Sequence, residues 1–264
     1  TFPLKRKKKL STYWKIVREL RKENGELGVI FVNTFISALL FRLGNVKKNI
    51  GYNREGRGFL LDFSPEINYH KHYINRYAFL FNEYIGNKYV YLPELSLRHT
   101  GQKTFQFDNS HKTIALYLGG ENKEFRKYPD EYAVQLLRLL NRQGYNLLLI
   151  GDENDNIKHT QYAEEARIDH LINLTARTTI EGFINTIANV DLIITIDSSA
   201  LHIAAAVKTP FIALMGLSTS PTSTILPKVP LGRILKIENN LIREEDYIRN
   251  ITPDLILKTI SELI

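Results

Sequence analysis

The sequence predicts an α/β protein whose C-terminal half is a doubly wound parallel sheet. Three observations predict it. Short apolar, β-branched runs recur from Thr113 onward and alternate with helical patterns, as strands buried on both faces of a parallel sheet do. Glycines, hydroxyls and charged residues gather directly after these runs, at the strand ends where such sheets collect ligands. The first hundred residues carry only one clear strand and three helical stretches, so the chain reads as two domains, 1–105 and 106–264. The polar, weakly patterned Pro93–Lys112 stretch is the expected linker.

Apolar residues Leu10, Tyr13, Trp14, Ile16, Val17 and Leu20 recur at helical spacing, so an amphipathic helix is expected over Leu10–Glu23, preceded by the basic run Lys5–Lys9. A buried strand over Val29–Val32 leads through Asn33-Thr34 into a helix over Phe35–Leu43, with Gly44 as its C-terminal stop. A glycine-rich polar stretch, Gly51–Gly58, and a helix near His72–Tyr84 follow. After the linker come strand Thr113–Leu118, helix Asp130–Arg142, strand Asn146–Ile150 and a helix near Thr160–Ala166. Strand Leu171–Leu174, helix Ile180–Ala188, strand Leu192–Ile196, helix Leu201–Val207 and strand Phe211–Met215 continue the alternation. A strand near Ile234–Ile237 and a helix opened by Thr252-Pro253, an N-cap followed by a proline in the first turn, end the chain.

The 264 residues are 44% hydrophobic and 24% charged, the balance of a globular protein with a sizeable core. Zero cysteines excludes disulfides and thiolate chemistry and suits a reducing cytosol. No apolar run approaches the roughly 20 residues that span a bilayer. A net charge of +7 favours anionic ligands or an anionic membrane surface. Nucleic acid is not expected as a partner, because no aromatic-interleaved basic pattern accompanies the charge.

Asp191–Ala206, DLIITIDSSALHIAAA, carries the strongest chemical signal. A strand stops at Asp197-Ser198-Ser199 and a helix follows around His202, so unpaired helix amides and the positive end of the helix dipole favour an anion there. The ordinary alternative is a serine cap on a core helix with His202 satisfied by backbone. A Ser-His-Asp hydrolase is excluded, since no G-x-S-x-G elbow exists and the three residues fall within one turn. Gly119-Gly120 follows the first strand of the second domain, and Arg126 lies just beyond it. The glycines would let phosphates approach the backbone and Arg126 would grip a diphosphate, against the alternative of a solvated surface loop. Gly151–Asn156 places Glu153 and Asp155 after the second strand, where a carboxylate can bind ribose hydroxyls or merely form an acidic turn. A calcium loop is excluded because Ile157 stands where its turn glycine belongs. Thr178-Thr179 follows the third strand, with Thr179 fitting a helix cap and Thr178 a ligand-facing hydroxyl. Gly216–Thr222 follows the fifth strand, facing a phosphate or forming a turn.

These residues resemble glycosyltransferase family nine, the bacterial heptosyltransferases, over nearly the whole chain. Asp197-Ser198-Ser199-Ala200-Leu201-His202-Ile203-Ala204-Ala205-Ala206 matches the family's D-[S/T]-G-x-x-H-x-A-A-A signature, with Ser199 in place of glycine. Arg126-Lys127-Tyr128-Pro129 echoes its K-x-W-P segment, with Arg126 for the phosphate-binding lysine and Tyr128 for the tryptophan. Val32–Leu39 and Ile50-Gly51-Tyr52 resemble acceptor-side segments. The resemblance implies a GT-B architecture of two Rossmann-like domains, the N-terminal one incomplete, with the general base on a segment preceding Thr1. It implies inverting transfer of heptose from ADP-heptose to the lipid A–core acceptor of lipopolysaccharide, without a cofactor or metal, in the cytoplasm or at the inner face of the membrane. Gly119, Gly120, Arg126, Glu153, Asp155, Thr178, Asp197, Ser198, Ser199 and His202 are the expected substrate-binding residues. The competing expectation is a non-catalytic nucleotide-sugar-binding module. A nicotinamide oxidoreductase shares the fold class but needs a G-x-G-x-x-G fingerprint that is absent.

Overall fold

A computed structural model describes residues 10–89, 94–107, 110–217, 222–227, 229–237 and 243–264. Contacts divide the chain into two units, 1–93 with 223–225, and 94–222 with 226–264.

In the first unit, helix α1 (Leu10–Glu23) packs on α2 (Phe35–Leu43), and β1 (Leu27–Ile30) pairs in parallel with β2 (Lys48–Gly51). Thr34 caps α2, its hydroxyl accepting from the Ser37 amide at 3.4 Å. Helix α3 (Tyr73–Tyr84) lies against β2. The first strand was expected over Val29–Val32 but ends at Ile30, opposite Gly51. Beyond it the Val32 carbonyl turns away from the ladder to accept from the Ser37 hydroxyl and the Arg57 guanidinium, leaving the Phe31 and Val32 side chains exposed. β2 escaped the sequence pattern because Lys48 and Asn49 interrupt its apolar run; Asn49 is nevertheless fully buried, its amide donating to Val46 O.

Arg57 is fully buried. Its Nε donates to Tyr52 O at 2.9 Å, its Nη1 to Val32 O, Thr34 O and Ser37 Oγ, and its Nη2 to Asn33 Oδ1 at 3.0 Å. One guanidinium thereby joins the carboxyl ends of β1 and β2. Burial lowers its pKa, and nearby Glu55 opposes that shift.

The second unit is built on a six-stranded parallel sheet in the order β5-β4-β3-β6-β7-β8. Its strands are β3 (Thr113–Tyr117), β4 (Asn146–Leu149), β5 (Leu171–Asn173), β6 (Leu192–Ile196), β7 (Phe211–Leu214) and β8 (Gly232–Leu235). Helices α4 (Asp130–Arg142), α5 (Asn156–Ala166) and α9 (Pro253–Ile260) form one packed group, and α6 (Ile180–Ala188) and α7 (Ser199–Val207) another. A short helix, α8 (Thr222–Ile225), falls mainly in the first unit. Every residue of β3, β6 and β7 is buried, and each fully buried Leu or Ile contributes about 1.5–3 kcal/mol. The chain winds outward from β3 through β4 to β5, then returns to the other side of β3 as β6. The topological switch therefore lies between β3 and β6, where open parallel sheets bind ligands.

Two helices start earlier than their periodicity indicates, and both start at polar caps. α5 begins at Asn156 rather than near Thr160, because a 3₁₀ turn over Glu153–Asp155 leads directly into it. α7 begins at Ser199, with Ser198 as its cap. β8 runs two residues ahead of the expected Ile234–Ile237, in register with β7. Residues from the expected linker pack with this unit: Thr100 N donates to Asn185 Oδ1 at 3.1 Å, and the Thr104 and Thr186 hydroxyls meet at 2.6 Å.

Candidate functional site

The candidate residues of the second unit all follow its strands at one edge of the sheet. At the end of β6 the backbone of Ser198 is extended, and its hydroxyl accepts from the Ala200 amide at 3.2 Å. The same hydroxyl meets Thr195 Oγ1 at 3.0 Å, and Thr195 in turn donates to Ile196 O. Ser198 is thus committed to starting α7. The Ser199 and Leu201 amides of its first turn have no intrahelical acceptor and sit at the positive end of the helix dipole. Ser199 and His202 are exposed and Asp197 is half-buried, so three polar side chains surround that terminus. Ser199 has no positive φ, so its backbone position does not itself require glycine.

At the end of β3, Gly119 has φ +80°, and a Cβ there would fall 2.6 Å from Ile196 Cδ1. A Cβ on Gly120 would fall 2.6 Å from Asn154 O and 2.7 Å from Asp155 Cα. The sequence suggested that these glycines open space for a phosphate. A side chain at either position would meet protein: Gly119 lies against the last residue of β6, and Gly120 lets the loops after β3 and β4 close on one another. The 3₁₀ turn Glu121–Arg126 then brings Lys123 Nζ to 3.2 Å from Asp152 Oδ2 and over the Tyr117 ring. Arg126 is half-buried, and its charge reaches the Tyr117 hydroxyl. Tyr128, at the tryptophan position of the resemblance, is fully buried and donates to Ile251 O at 2.8 Å.

After β4 a reciprocal cap forms. Asp152 Oδ1 accepts from the Asn154 amide at 2.8 Å, and Asp155 Oδ2 accepts from the Asp152 amide at 3.0 Å. Burial opposes ionisation of Asp152, but the Asn154 amide and Lys123 outweigh it and hold its pKa below the usual value. Glu153 is exposed, whereas Asp155 is fully buried against Gly120 and Gly151. Tyr117 is buried beneath them, and burial, followed by the Asp155 charge, pushes its pKa strongly upward.

Thr178 follows β5, the outermost strand, three positions from β6, or roughly 14 Å at normal strand spacing. Its neighbour Thr179 caps α6, accepting from the Gly182 amide at 3.1 Å. The Ala176 amide donates to Gly151 O at 3.1 Å, joining this loop to the one after β4. After β7, a Cβ on Gly216 would fall 2.7 Å from Phe125 O. Ser218–Pro221 and the Lys5–Lys9 run lie outside the described residues.

The edge thus brings together Gly119, Gly120, Asp155 and the residues leading into Asp197, while Thr178 stands at its far side. Sequence reasoning missed Lys123 and Tyr117, and took Asp152 only as part of the acidic loop after β4. Tyr117 is a polar tip inside an apolar run, the one local signal that could have found it. Among the described residues, no group of three or more His, Asp or Glu side chains is arranged to hold a metal ion.

The chain matches the model of glycosyltransferase family 9 (heptosyltransferase) over residues 13–245. It is 26% identical to lipooligosaccharide heptosyltransferase 2 of Haemophilus influenzae over 281 aligned positions, covering 97% of this chain and 81% of that protein. Its fold is similar to that of Escherichia coli ADP-heptose lipopolysaccharide heptosyltransferase II, with a TM-score of 0.80, 22% identity, and coverage of 96% of this chain and 81% of the other. It is also similar to a family 9 glycosyltransferase from Veillonella parvula, with a TM-score of 0.82, 15% identity, and coverage of 97% and 78%. The Rossmann-like α/β fold expected from the sequence is the fold these enzymes share with it. By the extent of the match, the chain belongs to glycosyltransferase family 9, the heptosyltransferases.

Proposed function

We propose that this protein transfers heptose from ADP-heptose to the lipid A–core acceptor of lipopolysaccharide, with inversion at the anomeric carbon. The observation that carries the reading is the convergence at the switch point: Gly119, just after β3, packs on Ile196, the last residue of β6, which leads into Asp197 and the start of α7. The names of the relatives support the substrate class.

In this reading the diphosphate lies at the α7 amides, with the Arg126 guanidinium beside it. As the acceptor hydroxyl oxygen bonds to the anomeric carbon and its proton passes to a general base, the bond from that carbon to the β-phosphate oxygen breaks and its electron pair leaves with ADP. The helix terminus and Arg126 stabilise that growing charge, a role that a metal ion fills in other enzymes. Asp197, Ser199 and His202 position the sugar and phosphates. Of the two carboxylates expected at the ribose, the exposed Glu153 takes the hydroxyls and the buried Asp155 holds the loop. Thr178 marks the outer limit of the nucleotide site. The protein works from the cytoplasmic side, peripheral to the membrane that carries its acceptor.

Incubation with ADP-heptose and a heptose-free inner-core acceptor tests this. ADP release matched by sugar on the acceptor, undiminished by EDTA, is expected. Arg126→Ala should lower the rate about 100-fold, with Arg126→Lys intermediate because it keeps charge without the bidentate fork. Nucleotide binding without turnover would favour the non-catalytic module, and complete loss with EDTA would overturn the metal-free reading.

A further inference from the structure

Among the described residues of the second unit, two fully buried side-chain atoms lack a hydrogen-bond partner: Asp155 Oδ1 and His159 Nε2. They belong to residues four apart at the start of α5, a spacing that places side chains on one face. The other atom of each group is engaged. Asp155 Oδ2 accepts from the Asp152 amide, and His159 Nδ1 meets the hydroxyl of buried Thr175 at 2.8 Å. Around the imidazole stand Tyr117, edge-on at 6.4 Å, and Tyr162 at 5.9 Å; Asp155 and Asp152 are the carboxylates that act on it. Burial favours the neutral ring; the hydrogen bond between Nδ1 and the Thr175 hydroxyl can run in either direction, and when the hydroxyl donates, the ring proton lies on Nε2. A Cβ on Gly120 would come within 3.0 Å of Asp155 Oδ1, so that oxygen lies directly under the turn after β3.

We propose that His159 is a positioning residue for the nucleotide site, its Nε2–H reaching the Asp155 carboxylate through one water molecule, on the side of that carboxylate shared with the Tyr117 hydroxyl. Asp155 touches both glycine turns of this edge, so fixing its carboxylate fixes the Asp152–Asp155 loop against Gly119-Gly120. An unheld carboxylate would tilt towards solvent, separate the loops and misplace Glu153. His159 thereby influences nucleotide affinity without touching the nucleotide. This inference rests on the donor site proposed above, and its test separates the two.

ADP is titrated calorimetrically into the unmodified chain, which tests the donor site alone. His159→Leu removes the donor and should weaken ADP binding about tenfold, while His159→Gln, which restores an N–H near the Nε2 position, should stay within about threefold of the unmodified protein. Thr175→Val, a near-isosteric change at a buried hydroxyl, should weaken binding about three- to fivefold by releasing the tautomer. Histidine-selective 15N spectra should show the neutral Nε2–H tautomer at His159. An Nδ1–H tautomer, equal loss in the Gln and Leu variants, or unchanged affinity in both the Leu and Val variants overturns the proposal. Absence of ADP binding by the unmodified chain overturns the donor site first, and this inference with it.

Discussion

Gly120 and Asp155 approach so closely that a Cβ on the glycine would fall 2.7 Å from the Asp155 Cα, a separation that Cβ atoms do not adopt. The obstacle is backbone, so a side chain there must push two loops apart rather than rotate a neighbour. Gly120→Ala should therefore destabilise the protein by about 1–3 kcal/mol, the usual range for overpacking. It should also weaken ADP binding more than Gly101→Ala, whose φ of +73° strains the backbone but whose Cβ meets nothing within 4 Å. Urea unfolding and calorimetry of both variants check this. Equal effects on binding would show that only backbone conformation matters.

Arg57 ties loops together in the first unit. Its donors serve the Tyr52, Val32 and Thr34 carbonyls and the Ser37 and Asn33 side chains. Arg57→Ala strands several of these acceptors, at roughly 1–3 kcal/mol for each that stays dry. Loss of at least about 3 kcal/mol in chemical denaturation is expected. Arg57→Lys should recover only part, because an ammonium has three donors and no planar fork. A fully stable alanine variant would mean that water reaches the carbonyls.

Parts of these arrangements were legible in the sequence. The β6–α7 junction was readable because an all-apolar strand ends abruptly in Asp197-Ser198-Ser199, and Ser198 makes the cap that this pattern indicates. The contact of Gly120 with the loop after β4 was not, because local sequence does not show which distant backbone a glycine approaches. β2 was hidden because the buried Asn49 is accommodated by a hydrogen bond from its Nδ2 to Val46 O rather than by being apolar. Arg57 was invisible for the same reason: its acceptors are mostly backbone carbonyls from segments about twenty residues away, which leave no trace in residue type.

Acid should weaken the second unit in two steps. Burial lowers the His159 pKa to about 4, below its unfolded value of about 6.5. The unfolded chain thus binds more protons between these values, so stability is full above about pH 6.5 and falls as pH drops towards 4. Asp130 resists the burial that would raise its pKa, and hydrogen bonds from Lys127, Tyr162 and Lys158 hold it at about 2. Its contribution is present above the unfolded value and is lost as pH falls towards 2. In urea midpoints measured from pH 8 to pH 3, His159→Gln should flatten the upper step and leave the lower one in place. An unchanged upper slope would mean that the imidazole titrates normally in the fold.

Charge along the chain leads to a last prediction, about the membrane. Residues 1–23 hold nine Lys or Arg against two Glu, an excess equal to the +7 of the whole protein, so the remainder is neutral overall. Within that stretch, α1 turns Val17 inward while Leu10 and Trp14 remain 77% and 59% exposed. A tryptophan beside cationic side chains suits the headgroup region of an anionic bilayer. The protein should sediment with vesicles containing phosphatidylglycerol and not with phosphatidylcholine alone. Binding should decline between 50 and 500 mM salt as the charges are screened. Trp14→Ala should lower it several-fold at fixed salt, whereas replacing Lys47, on the β2 side of the first unit, should change it little. Salt-insensitive binding to neutral vesicles would show that apolar contact alone drives it, and no binding to either would remove α1 as a membrane contact.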